Sequence, residues 1–79
     1  MKEHSESLNT QAISLAANGE YKEAIACFKR AIVVEQSNYL LWFNLGVTYR
    51  SAGQLESAKD CLLKAYDILF FIDVIFIVY

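Results

Sequence analysis

Apolar residues recur along this chain in four stretches at helical spacing. Leu8, Ala12, Leu15 and Ala16 form the first amphipathic stripe. Asn18-Gly19 follows, two residue types that tolerate a left-handed backbone and so end a helix. Tyr21, Ala24, Ile25, Phe28, Ala31 and Ile32 make the second stripe, which closes in the polar turn Gln36-Ser37-Asn38. Asn38 has the chemistry of an N-cap for a third helix carrying Leu41, Trp42, Leu45, Gly46 and Tyr49. That helix stops at Ala52-Gly53, and a fourth carries Leu55, Ala58, Cys61, Leu62 and Ala65. The pattern predicts helices over 6–18, 21–35, 39–52 and 55–68 and no strands, an all-α fold.

The second half of this pattern repeats the first at a period of 34 residues. Gly19 falls on Gly53, Ala24 on Ala58, Cys27 on Cys61 and Ala31 on Ala65. Ile13 with Val47, Phe28 with Leu62 and Arg30 with Lys64 are conservative matches. The exact matches gather where small size matters. Gly46 costs a helix interior about 1 kcal/mol relative to Ala, and a close crossing of two helix axes would offset that cost. Ala12 and Gly46 are therefore expected to sit opposite Ala24 and Ala58 in two antiparallel helix hairpins.

In the second unit Trp42, Leu45-Gly46, Tyr49, Gly53, Ala58, Leu62 and Ala65 follow the order W-x2-LG-x2-Y…A-x3-F-x2-A. In the first unit Gly19, Tyr21, Ala24, Phe28 and Ala31 match, while Leu8 stands where Trp is usual. On these residues the chain resembles the tetratricopeptide repeat family over about residues 5–72. The resemblance implies two stacked hairpins, repeat 1 over 6–38 and repeat 2 over 39–68, flanked by a flexible N-terminus 1–5 and an apolar tail 69–79. It implies a scaffold that holds a peptide or helix of a partner protein in a concave groove lined by the first helix of each hairpin. Carried over position by position, Asn9, Ile13, Phe43, Asn44, Val47 and Arg50 would face that groove. The alternative for Ile13, Phe43 and Val47 is completion of the core or of a dimer contact. A subclass of the family grips terminal carboxylates with a Lys/Asn/Arg clamp. Asn44 matches one clamp position, but Asn9 and Ile13 replace its Lys and first Asn, so carboxylate capture is not expected.

The family's closing Pro is absent from both units: Gln36 and Phe70 stand in its place. The second replacement removes the stop after the fourth helix. From Ile68 to Tyr79 the sequence reads ILFFIDVIFIVY, with Asp73 its one charge. Three readings stay open: a prolonged fourth helix, a segment folded back as a cap, or a contact with another copy or an aggregation-prone strand. The favoured reading is an extended or slightly broken helix that covers apolar surface. The run also overlays, through Phe76 and Tyr79, the opening of a third repeat, so a segment of a longer array fits as well. A self-associating fragment that dimerises through residues 69–79 is the alternative function to groove binding.

Composition narrows the chemistry. The chain is 79 residues long, 56% apolar, without Pro, and has a net charge of −2. Its Lys and Arg residues are scattered among acidic ones, so nucleic acid is not an expected partner. The apolar run is too short for a bilayer, which takes about 17–25 residues, and membrane attachment is not expected. The polar start lacks the apolar run of a secretory signal, so the chain is expected in the cytoplasm, with Cys27 and Cys61 expected as free, buried thiols. His4 is the sole histidine, and no Gly-rich phosphate loop occurs. Neither a nucleophile–base pair nor a metal set can be assembled, so no enzyme activity, cofactor or metal is expected.

Overall fold

The computed structural model describes residues 4–78 and comprises four α-helices: α1 (Ser5–Ala17), α2 (Tyr21–Val34), α3 (Tyr39–Ser51) and α4 (Leu55–Val78). Residues 1–3 of the expected flexible N-terminus, and Tyr79 of the tail, lie outside the described residues. Among the described residues there are no strands. The helices pair as two hairpins, α1 with α2 and α3 with α4, and the hairpins join through α2 and α3.

Both hairpin turns are built the same way. Gly19 and Gly53 hold φ of 80° and 81°, where a side chain would be strained. The N–H of Gly19 donates to Ala16 O and that of Gly53 to Arg50 O, both at 3.0 Å. One residue on, Glu20 N–H reaches Leu15 O and Gln54 N–H reaches Tyr49 O, both at 2.9 Å. These paired bonds satisfy carbonyls that the helix end leaves open and turn the chain sharply. The longer link between hairpins is closed by Asn38, whose side chain accepts from Leu40 N–H at 3.0 Å as the N-cap of α3.

The core is one continuous cluster. Phe28 and Leu41 are its largest fully enclosed side chains, and Ala12, Ala24 and Ala31 have no exposure at all. The small-residue notch lies where the repeat pattern puts it. A Cβ on Gly46 would lie 2.8 Å from Leu62 Cγ and 3.2 Å from the Ala58 carbonyl oxygen, so α3 and α4 cross there at backbone distance. Leu8 carries the Trp position of repeat 1 without loss of burial, at 4% exposure.

The expected ends of the first three helices are met within a residue or two, but α4 runs ten residues past the expected 68. No Gly or Pro interrupts it, and Ile and Val lower helix propensity only slightly. The tail is thus a prolonged helix, as favoured, and it passes the 68/69 boundary without a break. Residues 73–78, which overlay the opening of a third repeat, belong to this same helix. It does not cover apolar surface as expected. Phe70, Phe71, Phe76 and Ile77 are 57–84% exposed, because α3 begins at Tyr39 and leaves the end of α4 without a neighbour. The overhang raises the radius of gyration to 13.1 Å, against about 11.6 Å for a compact chain of this length. No helix among the described residues is long and apolar enough to cross a membrane.

Candidate functional site

The six groove candidates divide into two sets. Asn9 on α1 and Asn44 on α3 meet: Asn44 Nδ2 donates to Asn9 Oδ1 at 3.0 Å, both side chains half-buried. Ile13 lies one turn beyond Asn9 on α1 and is 47% exposed. Val47 lies three residues beyond Asn44 on α3 and is half-buried. Asn9, Ile13, Asn44 and Val47 therefore form a strip across the two first helices, with an amide pair at its centre. Thr48 Oγ1 donates to Asn44 O at 2.8 Å, which holds the backbone beneath the amide.

Phe43 and Arg50 sit further round α3. Phe43, 49% exposed, lines an apolar depression of about 420 Å³ with Leu40, Leu62, Tyr66 and Leu69. Arg50 lines an adjoining depression of about 470 Å³ with Leu55, Lys59, Leu62 and Tyr66. Leu62 and Tyr66 are common to both, so a single apolar trough follows the α3/α4 edge. Phe43 and Arg50 face this trough rather than the Asn9–Asn44 strip.

The sequence reading missed Glu35. Its carboxylate accepts from Ser5 Oγ on α1 and, at 3.1 Å, from Asn38 Nδ2 on the α3 cap. It ties the start of both first helices to the end of α2, and the three-residue spacing to Asn38 was its one local sign. Trp42 is anchored nearby by an Nε1–H bond to Gln36 O at 2.9 Å, with Lys64 Nζ 5.9 Å from its ring centroid. Lys29 Nζ stands equally far, 5.9 Å, from the Tyr49 ring. Both are cation–π contacts on the side of the hairpins away from the strip.

Cys27 and Cys61 are free and buried. Cys27 Sγ donates to Leu8 O at 3.2 Å, and burial pushes its pKa up. Burial also raises Cys61; the Asp60 charge adds to the rise and Lys29 partly opposes it. Both effects keep the thiols protonated, opposite to what a nucleophile requires. Among the described residues, no group of three or more His, Cys, Asp or Glu could hold a metal ion.

Repeated helix hairpins sharing one core define an α-solenoid, a class that works by presenting surface to other molecules. Residues 14–51 match a family profile described as TPR repeat, and residues 39–68 match one described as Tetratricopeptide repeat. The chain belongs to the tetratricopeptide repeat family, a non-catalytic protein-interaction fold. A stretch of 49 residues, 62% of this chain, is 35% identical to a Peroxisomal targeting signal receptor of Candida albicans. The chain spans 8% of that relative's length.

Proposed function

We propose that this chain is a protein-interaction module whose α1/α3 strip binds a peptide or helix of a partner protein. The supporting observation is the Asn9–Asn44 amide pair, already ordered between the two helices and flanked by the exposed Ile13. Each amide keeps unused hydrogen-bonding capacity, Asn9 its NH₂ group and Asn44 its carbonyl, so a partner backbone could be read by both. Ile13 and Val47 supply apolar contact on either side. An ordered polar centre with apolar flanks suits an extended or helical segment, since little side-chain entropy remains to be lost on binding. The likeness to a receptor supports a binding role in general; its particular signal is not carried over. A cytoplasmic setting accords with two reduced thiols.

The test compares proteins captured from a lysate by the unmodified chain and by Ile13→Asp and Val47→Asp variants of unchanged helicity. Loss of specific captured proteins from both variants is the expected result. Identical capture by all three chains would remove the strip from the function.

A further inference from the structure

We propose that the trough along α3 and α4 is filled by the α4 helix of a second copy of this chain, antiparallel and related by a two-fold axis near Tyr66. The inference starts from the face that α4 leaves open. Leu55, Leu62, Tyr66, Leu69 and Ile77 recur at helical spacing on one side of α4, and the first four line the trough. Lys59 lies within this stripe near its start and Asp73 near its end. Both are exposed, and among the described residues neither has an ionic partner within the chain.

Charge selects the register. An antiparallel copy laid with Tyr66 against Tyr66 brings the two open α4 faces together. That alignment sets Leu62 against Phe70 of the second copy and Leu55 against Ile77. It also sets Lys59 against Asp73, twice by symmetry. The one charge of the apolar overhang thereby meets a cation, and each overhang fills the other copy's trough.

The area is adequate. Leu55, Leu63, Tyr66, Phe70 and Ile77 are 52–84% exposed, and Leu40 and Phe43 are each 49% exposed across the trough. Covering them removes on the order of 800 Å² per copy, the amount a stable pair of proteins buries. Head-to-tail stacking is disfavoured by the other end of the molecule. Where α3 buries Leu41, Leu45 and Thr48 against the first hairpin, the equivalent positions of α1 are Ser7, Gln11 and Ser14, all exposed. Those polar side chains make a poor cover for Leu62 and Tyr66, so the self-complementary arrangement is preferred over an open stack.

Sedimentation equilibrium of the full chain, from micromolar to hundreds of micromolar, tests the proposal alongside circular dichroism. A dimer is expected. Asp73→Lys and Lys59→Asp each place like charges in contact and weaken it at least tenfold, and the double swap restores it. Ile75→Lys, on the opposite side of α4, leaves the dimer intact. A monomer at every concentration, an assembly larger than a dimer, a swap that fails to restore pairing, or equal loss with Ile75→Lys would each overturn the proposal. The strip variants Ile13→Asp and Val47→Asp lie outside this interface, so failure here leaves the binding role to be judged separately.

Discussion

Asn44 Nδ2 donates to Asn9 Oδ1 at 3.0 Å, joining the first helices of the two hairpins across 35 residues of sequence. It is a side-chain bond between the helices that define the proposed binding strip, so it sets how the second hairpin is rolled against the first. Replacing Asn44 with Ala is expected to lower stability by about 1 kcal/mol, the net value of a hydrogen bond in a partly buried site. Urea titration of Asn44→Ala, Asn9→Ala and the double variant should show a coupling of about 0.5–1 kcal/mol; additive losses would mean the bond contributes nothing.

Gly46→Ala tests the crossing of α3 and α4. Helix propensity alone would favour Ala by about 1 kcal/mol. The added carbon would stand 2.8 Å from Leu62 Cγ and 3.2 Å from the Ala58 carbonyl oxygen, neither of them the free end of a side chain. The clash is expected to win, with a net loss of about 1–3 kcal/mol in thermal unfolding. A stabilised variant would show that the helices separate at little cost.

Gly19→Ala and Gly53→Ala isolate backbone strain from packing. A Cβ at either position meets nothing within 4 Å, but φ is 80° and 81°. Each substitution is expected to cost about 1–2 kcal/mol, and each Asn replacement less, because Asn tolerates the left-handed region better. Equal effects of Ala and Asn would point to a cause other than φ.

The thiols make stability fall at alkaline pH. Cys27 and Cys61 are both raised above the ordinary value of 9.0 by burial. A raised folded pKa means the unfolded chain ionises first. The contribution is therefore whole below 9.0 and is lost as the pH climbs through the higher folded values. Urea midpoints measured from neutral pH upward should drop more for the unmodified chain than for a Cys27→Ala, Cys61→Ala variant. A parallel decline in both would remove the cysteines as the cause.

Much of this architecture could be read from residue types, because its rules are local. Gly19 and Gly53 are needed where the chain turns left-handed, Asn38 where helix N–H groups lack partners, and Gly46 where two axes touch. Each requirement leaves its mark at one position, and the period of 34 repeats the turn glycine. The candidate strip was legible only as a list. The family resemblance assigned Asn9, Ile13, Phe43, Asn44, Val47 and Arg50 to the groove side of the first helices but could not tell which neighbour each would face. A helix presents two flanks, and the roll of one hairpin on the next decides which flank meets the groove.

By itself, then, the sequence determined the hairpins, their turns, their small-residue notch and the family to which they belong. Tertiary structure alone decided that Asn9 and Asn44 bond to each other while Phe43 and Arg50 border a separate trough. It also decided that Glu35 ties Ser5 to the α3 cap, and that α4 projects past α3 with its apolar side chains in solvent. The physical reason is range. Caps, turns and periodicity are satisfied within a few residues, whereas exposure and cross-helix bonding depend on partners 30 or more positions away.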